Sequence, residues 1–237
     1  METILDYVRF KDARNMAEVR TKSAQLVIIS PPFVGLIKPE HSIIDKDKEK
    51  LLLEGIFAEC ARVVRDDGVV VSVNTDFRDD GMMYLRHMVV VEAALKAGLK
   101  PKDEKIWVRR FTRNLYRKTF SFILVFSKQR KILNKRLPNY EKDNWVLTQS
   151  QVVGNFRDAI APEIPQVLVE NFTDPGDLVV SACAGSGTIV IVANRLGRRA
   201  IGYEINPDMR KIIRLREKTI EQFYSPSFTP QNPAAVR

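Results

Sequence analysis

The clearest sign of the fold of this 237-residue chain is the segment Leu178-Val179-Val180-Ser181-Ala182-Cys183-Ala184-Gly185-Ser186-Gly187-Thr188. Its first residues form a continuous apolar run typical of a buried strand, and helical spacing begins at its end. Between the two lies the Gly-rich loop of residues 184–188. Glycines let a backbone approach a ligand closely, and the start of a helix offers unpaired N–H groups to a carboxylate or phosphate. A strand, a Gly-rich loop and a helix in this order indicate a ligand-binding unit of an α/β fold.

The strand predicted after this helix ends in an acid, because it reads Ile201-Gly202-Tyr203-Glu204. In α/β folds a carboxylate at this position binds ribose hydroxyls. A dinucleotide is less favoured, since the third glycine of its fingerprint would fall at Val190. The two motifs together predict an adenosine-containing cofactor, bound by Ala184, Gly185, Ser186, Gly187, Thr188 and Glu204.

The rest of the chain continues the alternation of strands and helices. Strands are predicted at residues 7–10, 26–29, 69–73, 105–108, 120–126, 178–180 and 200–203. Helices are predicted at 50–64, 82–97, from 163, 188–196 and from about 207, with a turn at Asp67-Gly68. This alternation predicts an open, doubly wound, mostly parallel sheet whose ligands bind beyond the carboxyl ends of the strands. Ser30 and Ala184 each follow a strand directly, so we expect their loops at the same edge.

The loop after residues 26–29 reads Ser30-Pro31-Pro32-Phe33. Two prolines fix the backbone and remove two N–H donors, so the loop presents carbonyl oxygens, with a hydroxyl before them and an aromatic ring after them. The hydroxyl and a carbonyl can accept the two N–H groups of an exocyclic amine while Phe33 stacks on the ring, as a base extruded from a duplex requires. The alternative is a rigid strand-ending turn with Phe33 in the core.

The composition favours a polyanionic partner. Lys and Arg total 38 against 29 Asp and Glu, a net charge of +9, and residues 105–136 hold eleven Lys or Arg and no acid. Because this segment borders the predicted cleft, we expect it to contact phosphates, although a solvated basic face is the alternative. The candidate nucleic-acid contacts are Arg109, Arg110, Arg113, Arg117, Lys118, Arg130 and Lys131.

Several classes of protein are not favoured by the sequence. No apolar run approaches the roughly 20 residues of a membrane span, and the first residues lack the order of a signal peptide, so we expect a cytoplasmic protein of a prokaryotic cell or a virus. Cys60 and Cys183 lie far apart without His or Cys at ligand spacing, so neither a disulfide nor a metal site is predicted. His41 and His87 have no partner in the sequence and are assigned no role.

Together these motifs resemble those of the DNA amino-methyltransferases. That family has a Gly-rich cofactor motif and a catalytic tetrapeptide of the type Asp/Asn/Ser-Pro-Pro-Tyr/Phe, whose serine form is typical of cytosine-N4 enzymes. Here the tetrapeptide precedes the cofactor loop, which resembles the circularly permuted order of the β class. The resemblance runs from about Tyr7 to about Pro207 and implies a Rossmann-like S-adenosylmethionine-dependent methyltransferase fold. It also implies that Asp12, in Lys11-Asp12-Ala13, contacts the cofactor adenine.

The resemblance implies an enzyme that methylates the N4 amine of a flipped cytosine in DNA at specific sites, with S-adenosylmethionine as methyl donor. Ser30, Pro31, Pro32 and Phe33 would be the catalytic residues, and no covalent enzyme intermediate would form. Two alternatives stay open. One changes the target to adenine N6 in DNA or to an RNA base. The other is a catalytically degenerate nucleic-acid-binding protein, suggested by Ser181-Ala182-Cys183 where the family has Asp-Pro-Phe.

The same resemblance predicts the domain organisation. A single methyltransferase domain spans residues 1–225, with a catalytic half over 1–127, a target-recognition segment over 128–155 and a cofactor-binding half over 156–225. The segment over 128–155, which carries Tyr140 and Trp145, is short and predicts a short recognition sequence. Residues 226–237 are expected to be disordered. DNA is the expected partner, and the sequence leaves open a homodimer and an accompanying restriction enzyme.

Overall fold

The computed structural model describes residues 3–31, 45–79, 81–108, 119–146, 151–153 and 156–223. The strands within these residues are β1 (Val8–Arg9), β2 (Ala24–Ile29), β3 (Val64–Asn74), β4 (Phe77–Asp79), β5 (Met82–Tyr84), β6 (Lys100–Val108), β7 (Phe120–Ser127), β8 (Asn144–Val146), β9 (Gln151–Val153), β10 (Phe156–Ala159), β11 (Leu178–Ser181) and β12 (Arg199–Tyr203). The α-helices are α1 (Lys46–Val63), α2 (Arg86–Lys96), α3 (Pro138–Glu141), α4 (Glu163–Phe172), α5 (Thr188–Arg195) and α6 (Met209–Phe223). Among these described helices, none has the length and apolar character that a bilayer span needs.

Eight of these strands form one sheet in the order β1-β12-β11-β2-β3-β7-β6-β8. The strands from β1 to β3 in this order run parallel, while β7 runs antiparallel to both of its neighbours. The chain builds outward from β2 in one direction and from β11 in the other. The sheet is therefore doubly wound and mostly parallel, as predicted, and its topological switch point lies between β11 and β2.

Helices cover both faces of the sheet. Alternation along β2 sends Leu26 and Ile28 into a core that contains side chains of α4, α5 and α6. Val27 and Ile29 enter the opposite core, which contains side chains of α1 and α2. All four are buried, so β2 is packed on both faces, and this strand positions Ser30, which directly follows it.

The segment predicted as one helix over residues 82–97 is divided in the structure. Residues 82–84 form β5, which pairs with β4 in a small hairpin that brings Phe77 opposite Tyr84. The helix α2 therefore begins at Arg86 rather than at residue 82. This difference matters for the site, because it places Arg86 and His87 in the first turn of a helix.

The turn predicted at Asp67-Gly68 falls inside β3. The register with β2 shifts there, since Ala24 pairs with Val64 and Leu26 pairs with Val69. The extra residues of β3 form an irregularity in the ladder. Glycine fits this site because a Cβ on Gly68 would lie 2.9 Å from a backbone carbonyl oxygen.

Candidate active site

Two loops meet at the switch point of the sheet. The N–H of Ala182, directly after β11, donates to the Ile28 carbonyl of β2 at 3.0 Å. Ile28 lies two residues before Ser30, so the Gly-rich loop and the Ser-Pro-Pro-Phe loop leave the sheet side by side. The structure thus brings the two predicted loops to one edge, where α/β sheets bind their ligands.

The Gly-rich loop turns tightly between β11 and α5. The Ala184 N–H donates to the Tyr203 carbonyl at 2.7 Å, and the Gly187 N–H donates to the Ala184 carbonyl at 2.8 Å. Gly185 and Gly187 have φ angles of 52° and 80°, in the left-handed region that favours glycine. A Cβ on Gly187 would also lie 3.1 Å from the Ile213 side chain. Both glycines are therefore required by the turn that opens α5.

Glu204 closes this loop from the end of β12. One of its carboxylate oxygens accepts from the Gly185 N–H at 2.8 Å, and the other accepts from the Asn206 N–H at 2.9 Å. Burial raises the pKa of Glu204, and the backbone donors oppose that rise. The carboxylate is therefore fixed beside the loop that was predicted to bind the cofactor.

A buried arginine of α6, which the sequence analysis did not identify, supports the same loop. Arg216 donates from Nε to Thr188 Oγ1 at 2.9 Å and from Nη2 to the Ile160 carbonyl at 2.8 Å. Thr188 Oγ1 in turn lies 3.0 Å from Ser186 Oγ. Burial lowers the pKa of Arg216 to about 10, and Glu163 opposes that shift. The arginine joins the Gly-rich loop to the segment before α4, and its signal in the sequence is a basic residue at a core-facing position of α6.

Asp12 lies on the β1 side of this edge. The last residue of β1, Arg9, accepts at its carbonyl from the Glu204 N–H at 3.0 Å, and Asp12 follows three residues later. Arg14 donates from Nη2 to the Asp12 carboxylate at 2.6 Å, and this hydrogen bond holds the pKa of Asp12 below its usual range. Asp12 is therefore an ionised acceptor near Glu204, already paired with one cation.

Charged groups on both sides of the edge influence Cys183. Burial raises the pKa of its thiol to about 12, Glu204 and Asp12 add to the rise, and Arg86 opposes it. Glu204 and Asp12 belong to the β12 and β1 side, whereas Arg86 belongs to α2, beyond β2. The raised pKa keeps the thiol protonated at neutral pH, so Cys183 is poorly suited to act as a nucleophile.

The Ser-Pro-Pro-Phe loop is described as far as Pro31, and Pro32 and Phe33 lie outside the described residues. Arg86, the first residue of α2, donates from Nη1 to the Pro31 carbonyl at 3.3 Å. Its Nη2 lies 2.5 Å from a carboxylate oxygen of Glu49 in α1. Arg86 and Glu49 are 1% and 2% exposed. A buried ion pair therefore contacts the carbonyl that was predicted to accept from the target amine.

A second acid–base pair lies next to this one. Asp76 follows β3, which pairs with β2 up to Ser72 opposite Ile29. Both Asp76 carboxylate oxygens lie 2.8 Å from His87 Nδ1, and one of them accepts from the His87 N–H at 3.1 Å. The imidazole stacks on the Phe122 ring of β7, with centroids 4.3 Å apart. Asp76 is buried, whereas 25% of the His87 side chain is exposed.

The chain matches the family of N6 and N4 methyltransferases, described as DNA methylase, over residues 24–215. The match includes both loops of the site. The chain belongs to this DNA methylase family. Among its relatives is the type II methyltransferase M.MjaI of Methanocaldococcus jannaschii, 26% identical over 86% of this chain and 88% of the relative.

Solved structures share the fold of this DNA methylase. The PvuII DNA methyltransferase, described as cytosine-N4-specific, has a TM-score of 0.72 at 20% identity and covers 92% of this chain and 90% of its own. TTHA0409 of Thermus thermophilus, in complex with S-adenosyl-L-methionine, has a TM-score of 0.71 at 23% identity and covers 93% and 95%. The predicted family, fold class and methyl donor are thereby confirmed, whereas the role of each site residue in this methylase stays a prediction.

The two strands that flank one basic segment of the methylase, residues 109–118, have their adjoining ends at the edge of the site. The last residue of β6, Val108, pairs with the first residue of β7, Phe120. This pair lies at the carboxyl edge, because Phe122 of β7 pairs with Asn74 at the end of β3. The segment between β6 and β7 holds five of the predicted phosphate contacts, which lie outside the described residues: Arg109, Arg110, Arg113, Arg117 and Lys118.

The other two predicted phosphate contacts lie at the opposite edge of the sheet. Arg130 and Lys131 are exposed beyond the last residue of β7. That end of β7 lies beside the first half of β3, since the Ser127 hydroxyl donates to the Gly68 carbonyl at 2.8 Å. The structure of the methylase therefore separates Arg130 and Lys131 from Ser30 by the full length of the central strands.

The aromatic residues of the 128–155 segment face the core of the methylase. Tyr140 and Trp145 are buried, and the Tyr140 hydroxyl donates to Asp103 at 2.8 Å. Lys105, counted in the basic run, is also buried and pairs with Asp103 and Asp143 at 3.2 Å. These residues attach β8 and α3 to the edge of the sheet, and they do not present their side chains to a duplex.

Four residues near the Ser-Pro-Pro-Phe loop were not identified from the sequence of the methylase: Glu49, Asp76, Arg86 and His87. Their partners lie on other elements, so no local spacing marks them as pairs. One signal is visible in retrospect. Arg86 and His87 stand directly before Met88-Val89-Val90-Val91, two titratable residues at the head of an apolar stretch.

Proposed function

We propose that this chain transfers the methyl group of S-adenosylmethionine to the exocyclic N4 amine of a cytosine flipped out of DNA. The observation that carries the proposal is the hydrogen bond from Ala182 to Ile28, because it sets the Gly-rich loop beside Ser30 and Pro31. A methyl donor on one loop would then face an amine held by the other. Membership of the DNA methylase family supports both the donor and DNA as the substrate.

The residues on the β11 and β12 side fit the methyl donor. The Gly-rich loop lies at the N-terminus of α5, where unpaired N–H groups favour the carboxylate of the methionine part. The Glu204 carboxylate, at the end of β12, is suited to the ribose hydroxyls. Asp12 is assigned to the adenine. When bound, the donor supplies an electrophilic methyl group on a sulfonium. The full set proposed for the cofactor is Asp12, Ala184, Gly185, Ser186, Gly187, Thr188 and Glu204.

The residues on the β2 side fit the amine. The lone pair of the cytosine amino group is delocalised into the ring, so the group is a weak nucleophile. Hydrogen bonds from the amine to the Ser30 hydroxyl and the Pro31 carbonyl favour a more tetrahedral nitrogen and offset the positive charge that develops on it. A carbonyl oxygen has two lone pairs, so Pro31 can accept from Arg86 and from the amine together. Holding the amine and the methyl group in near-attack geometry contributes roughly 7–11 kcal/mol to such a reaction.

The choice of cytosine rests on the serine of the tetrapeptide, because the serine form of this motif is typical of cytosine-N4 enzymes. Phe33 is assigned to stacking on the flipped base and Pro32 to the rigidity of the loop. Adenine and the bases of RNA carry a similar exocyclic amine. The same edge of the sheet could therefore bind them if the pocket around the base had a different shape. The product of the reaction distinguishes these targets directly.

The test is to incubate the protein with DNA or RNA and isotopically labelled S-adenosylmethionine and to identify the methylated nucleoside by mass spectrometry. We expect N4-methylcytosine from DNA. If N6-methyladenine is the only product, the cytosine target is overturned. If neither nucleic acid yields a labelled nucleoside, methyl transfer is overturned and a nucleic-acid-binding protein is favoured.

The matched variants for this test are Ser30→Ala, Phe33→Ala and Ser23→Ala. The first two should lose product while keeping cofactor binding, since they act on the base. Ser23 precedes β2 at its other end, where its hydroxyl donates to the Arg20 carbonyl at 2.7 Å. The Ser23 variant should therefore methylate DNA at the rate of the unmodified protein. Equal rates for all three variants would remove the catalytic assignment of the loop.

The domain organisation is proposed on the same basis. Residues 1–127 contribute the base-binding loop, residues 156–225 contribute the cofactor-binding loop, and residues 128–155 contribute target recognition. Because Tyr140 and Trp145 of that segment are buried, few of its side chains can reach base edges. A short recognition sequence is therefore still expected.

A further inference from the structure

The Asp76–His87 pair has the geometry of an oriented proton acceptor. Asp76 engages both the Nδ1 atom and the backbone N–H of His87, which fixes the imidazole in position and orientation. A neutral imidazole that donates its Nδ1–H to a carboxylate carries its lone pair on Nε2, the other ring nitrogen. Stacking on Phe122 holds the ring plane from the side of β7.

The pair lies at the edge of the sheet that carries the proposed base site. Asp76 leaves the sheet two residues after β3, and β3 lies next to the strand that ends at Ser30. His87 follows Arg86, whose guanidinium donates to the Pro31 carbonyl. The first turn of α2 therefore contacts the base-binding loop through one residue and orients an imidazole through the next.

Methylation of an amine requires a proton acceptor, because the amine must lose a proton. The nitrogen of the amine attacks the methyl carbon, the carbon–sulfur bond breaks, and its electron pair stays on the sulfur, which becomes a neutral thioether. The nitrogen then carries a positive charge and one proton too many. Ser30 cannot retain this proton, because its hydroxyl already carries one and can only pass a proton onward.

We infer that His87 is the catalytic residue that accepts the proton lost by the target amine, and that Asp76 is the positioning residue that orients it. The inference rests on the proposed function and deepens it. The proton moves from the amine nitrogen to Nε2 of His87, the methylated base leaves neutral, and the imidazolium is stabilised by the Asp76 carboxylate. Solvent takes the proton before the next turnover, through the exposed part of the ring.

The charged groups around His87, among the described residues, come from three elements. Asp76 approaches from the segment after β3, and the Arg86–Glu49 ion pair is contributed by α2 and α1. The β7 strand contributes Phe122, which does not titrate. Arg86 and Glu49 pair with each other, and Asp76 pairs with the imidazole.

The test is the pH dependence of a single turnover, with product followed by nucleoside mass spectrometry. The rate should fall over an acidic pH range, because a protonated imidazole accepts no proton. His87→Gln keeps an amide donor toward Asp76 and removes the acceptor. We expect a rate about a hundred-fold lower in this variant and no acid limb in that range. Asp76→Asn should give a similar loss, since an amide would favour the other tautomer.

Two controls separate catalysis from structure. Met88→Gln, at the exposed position that follows His87, should behave as the unmodified protein. His87→Ala should regain rate when imidazole is added, which a purely structural role would not allow. The inference is overturned if His87→Gln keeps the rate and the acid limb, or if imidazole restores nothing. If the product is N6-methyladenine and its formation still depends on His87, only the cytosine target is overturned. If no methylated nucleoside forms, the proposed function and the role of His87 are both overturned.

Discussion

The two sides of the carboxyl edge are built in different ways. On the β11 and β12 side, backbone N–H groups and glycines form the loop, and Glu204 reaches Gly185 from only 19 residues away. On the β2 side, the Pro31 carbonyl accepts a hydrogen bond from Arg86, which lies 55 positions further along the chain and is itself paired with Glu49. The first side is mainly a local motif, to which α6 adds Arg216, whereas the second is held by charged side chains from two separate helices. A substitution should therefore act mainly on ligand binding on one side and on both stability and catalysis on the other.

The largest effect is expected for Arg86→Met. This change leaves the buried Glu49 carboxylate without its partner, which costs about 3–5 kcal/mol in the free energy of unfolding. The double variant Arg86→Met/Glu49→Leu removes both charges and should recover most of that stability. It should not recover methylation, because the Pro31 carbonyl would still lack its donor. Urea unfolding and single-turnover rates measure the two effects separately.

The outcome of the double variant decides what the ion pair does. Full stability with full activity would mean that neither folding nor methylation needs the pair. Full stability with a lowered rate and unchanged affinity for the methyl donor would assign the pair to the base-binding loop.

The same difference explains how much the sequence could predict. The Gly-rich loop, the position of Glu204 at the end of a strand and the shared edge of the two loops were predicted, because glycine, helix-start and strand-end patterns are local in the chain. Arg86 and His87 were not, because each is defined by a partner on another element and because α2 starts four residues later than its apolar pattern suggests. The burial of Tyr140 was likewise missed, since an aromatic residue in a polar segment does not reveal that α3 and β8 fold back on the sheet.

On the cofactor side, Glu204→Gln should weaken binding of S-adenosylmethionine by about 3 kcal/mol, roughly a hundred-fold, because hydrogen bonds to a charged acceptor contribute about 1.5–3 kcal/mol each. Binding requires the carboxylate form, and burial raises the pKa of Glu204. Affinity should therefore decline as the pH falls, beginning above the range in which an ordinary glutamate protonates. Calorimetry across pH checks both statements.

The control for Glu204 is Asp208→Asn, an exposed acid four residues later. It should leave the affinity and its pH dependence unchanged. Equal affinities for the Glu204 variant and the unmodified protein would remove the ribose assignment.

A smaller effect is expected for Arg216→Met, which tests whether the cofactor side also depends on a distant side chain. The variant loses hydrogen bonds to Thr188 and to the Ile160 carbonyl, and we expect about 2 kcal/mol of lost stability. Cofactor affinity should fall by less than in the Glu204 variant, since Arg216 acts through Thr188. Arg214→Met, at an exposed position of the same helix, is the control. A loss of affinity as large as that of Glu204→Gln would show that the two sides of the edge are built alike.

The smallest effect concerns DNA binding and separates the two basic segments. Residues 109–118 follow Val108 of β6 and precede Phe120 of β7, which pair at the edge of the site, whereas Arg130 and Lys131 lie at the opposite edge. The triple variant Arg109→Ala/Arg110→Ala/Arg113→Ala should weaken binding to all duplexes alike and flatten the dependence of log affinity on log salt by about 0.9 for each phosphate that is no longer neutralised. The matched variant Arg130→Ala/Lys131→Ala should leave that slope unchanged. If it flattens the slope as much as the triple variant does, the duplex must contact both edges of the sheet. The position of a basic residue relative to the site would then not predict whether it contacts DNA.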